Sequence, residues 1–272
     1  AFHEASLPES STGDGGSSLS LVNKRWRQGA KTSAQWIVVL ATVIVIFRVG
    51  NQHWSEFKDL NLQFDLFWLI NAAVATTAAN LLLPLGWRRL IASYGRSVAA
   101  GRAVRLWCLA QTARYLPTGL VAVASRLQLA TKEGIPRSLT AISIAVETLV
   151  LLGWAVVICT LFVPSTVLPE MMRWVLGVTA TTGLVAAPWW IPAISERLSR
   201  IDKFAIPQPK RRLLADGVAL LGASVAVRAV GTVALAAAFL EVDSADVSLI
   251  VGASYAAVIA GMIGITPAGL GV

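Results

Sequence analysis

Charge is scarce in this 272-residue chain: Asp, Glu, Lys and Arg make up 14% of it, against 56% hydrophobic residues. A soluble domain of this size cannot hide that apolar fraction in one core, so the scarcity excludes the soluble globular class and makes lipid the solvent for much of the surface. The only cysteines, Cys108 and Cys159, both lie in apolar runs. Free Cys there acts as a small buried hydrophobe, and no disulfide framework follows. His3 and His53 are the only histidines, and neither has Cys or acidic residues at ligand spacing, which removes the basis for a metal site. A Walker A loop, a G-x-S-x-G elbow, an H-E-x-x-H helix and a dinucleotide fingerprint are all missing, and the Gly13 to Gly16 run reads as linker. The expectation is a protein without cofactor and without enzyme activity. A membrane-embedded enzyme would need a paired acid and base, and only Glu147 is obviously available.

The formal net charge of +8 sits in short clusters between apolar runs, with no nucleic-acid motif beside them. Such clusters belong to cytoplasmic loops and anionic headgroups rather than to a nucleic-acid partner. Residues 1–31 begin with a Ser- and Gly-rich stretch lacking apolar periodicity, read as a disordered cytoplasmic tail, and no basic region followed by an apolar run marks a signal peptide within it. Residues 32–272 form the transmembrane domain. Spans of about 20 apolar residues fit a hydrocarbon layer of about 30 Å, and five full crossings are expected, near 34–50, 66–87, 138–163, 171–194 and 213–240. Lys24, Arg25, Arg27 and Lys31 place the N-terminus in the cytoplasm. The stretches Arg88–Arg105 and Arg197–Arg212 are then inside as well, and the loops 51–65, 164–170 and 241–246 outside. The expected location is the inner (plasma) membrane.

The apolar stretch 106–124 cannot cross, because Arg126, Lys132 and Arg137 after it also belong inside. It is expected to enter from the cytoplasm, break at Leu116-Pro117-Thr118-Gly119 and return as a re-entrant hairpin. The last run, 247–265, enters from the other face and meets Thr266-Pro267-Ala268-Gly269-Leu270. The two breaks share P-x-G-L from opposite faces, the pattern of an inverted repeat. The fold expected is therefore an all-α polytopic membrane protein with about five full spans, two broken re-entrant segments and a possible inverted repeat. Breaks at membrane depth are tolerated only where they are buried in protein or line a cavity, so a polar interior is implied.

Glu147 and Arg228 fall deep in spans, where a charge costs at least about 2.5 to 3.5 kcal/mol and needs a partner or water. Glu147 is expected to pair with Arg228, Arg126 or Arg114; an ion pair that merely fixes helix packing is the plainer alternative. Arg114 and Arg126 flank the hairpin tip, and their planar forks suit phosphate oxygens arriving from the headgroup layer. The candidate substrate-binding residues are Arg114, Pro117, Gly119, Arg126, Glu147, Arg228, Thr266, Pro267 and Gly269. Asn71, Thr76, Thr77 and Asn80 read as helix-packing residues. Trp26, Trp54, Trp87, Trp174 and Trp190 read as an interfacial belt.

Taken together, Tyr115-Leu116-Pro117-Thr118-Gly119, Arg126, Gly134-Ile135-Pro136, Glu147 and Ile265-Thr266-Pro267-Ala268-Gly269-Leu270-Gly271-Val272 resemble the flippase-like transmembrane domain of the lysylphosphatidylglycerol synthase family, over roughly residues 85–272. The chain departs from that pattern at Glu147-Thr148, where many relatives have Glu-Arg, and in the extra Thr118 of its Leu-Pro-Thr-Gly turn. The resemblance implies translocation of anionic or polyprenyl-phosphate-linked lipids between leaflets, and helices continuing beyond Val272. It also implies, in some relatives, a soluble aminoacyl-transferase domain, of which these residues show nothing. The alternative is a non-transporting membrane subunit that presents a lipid-linked substrate to a partner glycosyltransferase or synthase of the cell envelope.

Overall fold

A computed structural model describes residues 64–112, 119–201 and 207–263, together with helical positions Ile44, Phe47, Arg48, Asn51 and Gln52. The chain divides into two units, Ala1–Phe57 and Lys58–Val272. In the first, the described side chains are exposed, and of the expected span 34–50 only Ile44, Phe47 and Arg48 are described. Among its described residues the second unit contains helices and no strands: α1 (Leu66–Ser93), α2 (Ala100–Thr112), α3 (Gly119–Lys132), α4 (Arg137–Phe162), α5 (Glu170–Val185), α6 (Ala187–Ile201), α7 (Arg211–Ala237) and α8 (Ser244–Ile263).

Helix ends follow from local chemistry. Asp65 caps α1 by accepting from the N–H groups of Phe67, at 2.8 Å, and Trp68. Asp243 and Asp246 exchange side-chain bonds with each other's backbone N–H to start α8, a reciprocal box with Asp in the acidic position. Gly95 and Gly134 take positive φ just beyond α1 and α3. Each closes its helix with the paired back-bonds of a Schellman turn, in which Arg96 and Ile135 reach the carbonyls of Ile91 and Ala130.

α1, α4, α7 and α8 are each long and apolar enough to cross a membrane. The outer face of α1 exposes Phe67, Val74 and Leu81, and α5 exposes Met171, Trp174 and Val178. So much contiguous apolar surface is unfavourable in water and favourable in lipid. α2 and α3 are only about 20 Å long, too short to cross, and pack on each other. The hairpin expected for 106–124 turns on residues 113–118, which lie outside the described residues.

The stretch 171–194, expected as one full crossing, consists of two helices that would make a fifth candidate span only if the bent pair is taken as one. α5 and α6 meet at Ala186 with a bend of 68°. Pro188 has no N–H to give the preceding turn, and its ring crowds the carbonyl four residues back, so the helix breaks there despite unbroken hydropathy. The indole N–H of Trp190 donates to the Gly183 carbonyl at 2.8 Å across the bend.

α1 and α7 run antiparallel along their whole length, from Asp65 N–H on the Ala238 carbonyl (3.0 Å) to Lys210 N–H on that of Ser93 (2.8 Å). They approach closely because Gly86 faces Leu221, Gly217 faces Leu90 and Gly231 faces Thr76. α4 packs against α7 through Trp154, whose indole donates to the Val218 carbonyl at 3.0 Å. α8 lies on α4 and α7, with Gly252 against Val163 and the Tyr255 hydroxyl donating to the Val225 carbonyl. Exposed bases gather at the end where α1 finishes and α4 and α7 begin: Arg96, Arg102, Arg105, Lys132, Arg137, Lys210 and Arg211. Asp65, Glu170, Glu241, Asp243 and Asp246 gather at the other, beside Arg173. Among the described residues each end thus carries mainly one sign of charge.

Candidate functional site

The turn Glu133-Gly134-Ile135-Pro136 sets the geometry. Gly134 ends α3, Ile135 buries against Ala130, and Pro136 starts α4 with its carbonyl accepting from Thr140 N–H. α3 and α4 therefore pack antiparallel, and Arg126 faces Glu147. Both guanidinium Nη atoms reach both carboxylate oxygens: Nη1 to Oε1 at 3.2 Å, and Nη2 to Oε2. This bidentate fork satisfies the carboxylate in one plane. The side chains keep 11% and 6% of their exposure, about 15 Å along α4 from Arg137.

Beneath the pair lies Trp87, fully buried, with the guanidinium carbon 4.9 Å from its ring centroid. A desolvated cation over an indole face gains about 2 kcal/mol. The ring is fixed in turn, because its N–H donates to Ser143 Oγ at 3.0 Å and that hydroxyl donates to the Thr140 carbonyl at 2.8 Å. Trp87 therefore serves the interior and not the interfacial belt expected of it, whereas Trp174 is exposed as expected. Two buried donors, Arg126 Nε and Trp107 Nε1, have no acceptor among the described residues. Buried donors normally find partners, and the side chains of residues 113–122, which fall between these two in the chain, lie outside those described.

Arg228 does not join Glu147. It lies on the α1–α7 pair, half-buried, with Nη2 donating to Asn80 Oδ1 at 2.9 Å. Among the described residues Glu147 pairs with Arg126 and not with Arg228, while Arg114 lies outside them. Gly119 opens α3. Arg114 and Pro117, with Thr266, Pro267 and Gly269, lie outside the described residues, so the P-x-G-L similarity of the two breaks stays a feature of the sequence. No group of acidic, His or Cys side chains able to hold a metal occurs among the described residues.

Sequence reasoning missed Trp87, Ser143 and Asn80. Ser143 sits one helical turn before Glu147, on the same face, and this spacing was the available signal. Asn80 was read as packing because nothing in the sequence ties it to a residue on α7. Comparison with family models, with curated proteins and with solved structures finds no match to this chain.

Proposed function

We propose that this chain is a flippase-like lipid translocase of the inner (plasma) membrane, multi-pass with its N-terminus in the cytoplasm. It moves an anionic phospholipid or a polyprenyl-phosphate-linked lipid between leaflets and performs no chemistry on it. The observation that carries the reading is the Arg126–Glu147 pair over Trp87, buried in a bundle whose outer faces are apolar. Ionisable groups at membrane depth are costly and tend to mark a transport path. The segregation of basic residues at one end favours that end facing the cytoplasm. Short helices α2 and α3 on either side of Pro117 favour a re-entrant hairpin beside the interior, and the motif residues around Arg126 and Glu147 resemble the flippase-like family.

The test is leaflet exchange of fluorescent anionic phospholipids and polyprenyl phosphates in liposomes carrying the complete protein, with Arg126→Ala and Glu147→Gln alongside. Exchange by the parent protein, lost in both variants, is expected. Absence of exchange for every lipid by well-folded protein overturns the translocase reading in favour of a subunit that presents lipid-linked substrate to an envelope enzyme.

A further inference from the structure

The two arginines that fall deep in apolar segments differ in burial and in charge balance: Arg126 keeps 11% of its side-chain exposure, whereas Arg228 is half-buried and its contact with the exposed Asn80 is open. Arg126 has its charge met by Glu147 through a two-bond fork. Arg228 has only the neutral amide oxygen of Asn80, and the ion pairs among the described residues are Arg102–Glu133 and Arg126–Glu147, neither of which includes it. Counting about 1.5 Å per residue, Arg228 lies about 26 Å from the start of α7 and about 14 Å from its end, well within an apolar span. Among the described residues its neighbours offer no negative charge. The Tyr255 hydroxyl donates to the Val225 carbonyl, and the Thr232 hydroxyl donates to the carbonyl of Arg228 itself. Because a guanidinium has no acceptor, Asn80 must turn Oδ1 toward it, which leaves the Asn80 amino group as a second donor at the same place.

We propose that Arg228 and Asn80 form the seat for the negative charge of the transported lipid, and that the seat selects a phosphodiester monoanion over a phosphomonoester. The assignment of the anion to a lipid rests on the translocase reading; the seat itself rests on charge balance. One guanidinium matches one negative charge, and at this depth any unmatched charge is strongly disfavoured. A phosphomonoester carries about −1.5 to −2 at neutral pH and leaves part of its charge unmet, whereas a diester carries one. Arg126 cannot serve in this way while Glu147 holds its fork, so it shapes the interior without supplying charge.

The experiment is equilibrium binding to the full chain in phosphatidylcholine nanodiscs. The probes are short-chain phosphatidylglycerol, short-chain phosphatidic acid and inorganic phosphate, measured for the parent protein and for Arg228→Gln, Arg228→Lys and Asn80→Ala. The diester is expected to bind at least about ten-fold tighter than either other probe. Arg228→Gln should weaken it about ten-fold or more, Asn80→Ala about three-fold to ten-fold, and Arg228→Lys less than Arg228→Gln. If Arg228→Gln does not fold, Asn80→Ala, which keeps the charge, decides. Diester affinity unchanged in Asn80→Ala and in any folded Arg228→Gln overturns the seat. Inorganic phosphate binding as tightly as the diester overturns the lipid as its source. A dimer that becomes monomeric in Arg228→Gln, with diester affinity unchanged, gives Arg228 to a carboxylate of a second copy and also overturns the proposal. Diester binding that depends on Arg228 in a protein showing no leaflet exchange sinks the translocase reading and leaves the seat standing.

Discussion

Arg126 and Arg228 share a residue type and an apolar setting, yet the protein treats them in opposite ways. One is neutralised by Glu147, laid on a fixed indole and nearly sealed; the other is half-open and held by an amide. The difference lies in which elements carry them. Arg126 sits on a short helix tied to its carboxylate by a tight Gly-Ile-Pro turn, so the pair forms between segments close in sequence. Arg228 sits on a long helix paired with α1 through glycines, a contact that brings small residues and an Asn within reach but no acid. A sealed ion pair at depth adds to the definition of the fold, while an open cation leaves something for a ligand to supply.

The comparison breaks first at Glu147. Replacing it with Ala removes the carboxylate that both Arg126 Nη atoms meet, and removing one member of a buried pair costs about 3 to 5 kcal/mol. Chemical unfolding in detergent should register this as the largest loss among interior variants. The double replacement Arg126→Met with Glu147→Leu should recover most of that stability, since an apolar pair of similar volume can substitute for a buried ion pair. Stability recovered with leaflet exchange still absent would show that the pair serves transport beyond holding α3 to α4. A double variant as unstable as Glu147→Ala would mean that the apolar pair does not fill the site.

Much of this arrangement was legible beforehand, for identifiable reasons. The spans beginning at Leu66 and Arg137 announce themselves through apolar length bounded by charge, with Asp65 marking the start of α1 and Pro136 that of α4. Glu147 stood out because one acid in an apolar run has few innocent explanations. Its partner did not, since Arg114, Arg126 and Arg228 are equally plausible until α3 is seen folded back on α4. The bend at Ala186 was hidden because hydropathy is blind to the missing N–H of Pro188. Trp87 looked interfacial because Arg88 and Arg89 follow it, but the helix turns its ring inward, and sequence position alone cannot say which face a residue takes.

The support beneath Arg228 is open to a smaller perturbation. Gly222 on α7 faces the Trp154 indole so closely that an added methyl would fall inside the van der Waals radius of the ring, whose N–H is committed to the Val218 carbonyl. Gly222→Ala should therefore displace α7 from α4 and cost about 1 to 3 kcal/mol, the usual range for overpacking. The expected outcome is a lowered Tm with the Arg126–Glu147 side unaffected, as read by slow hydrogen exchange in α3 and the first half of α4. Equal loss of protection on both sides would mean that the two arginine environments unfold as one unit and that their contrast is local only.

The smallest effect belongs to a third arginine, which shows how far burial sets the scale. Arg102 and Glu133 form an ion pair at 3.3 Å at the basic end, with side chains 66% and 34% exposed. The chemistry is that of Arg126 and Glu147, but water and salt reach both partners, and such pairs contribute about 0 to 1 kcal/mol. Arg102→Ala should shift the unfolding midpoint by less than any interior variant, and raising salt should erase what shift there is, whereas the Glu147→Ala penalty should persist at high salt. A salt-insensitive loss at Arg102 comparable to that at Glu147 would mean that this end of the bundle is shielded from water.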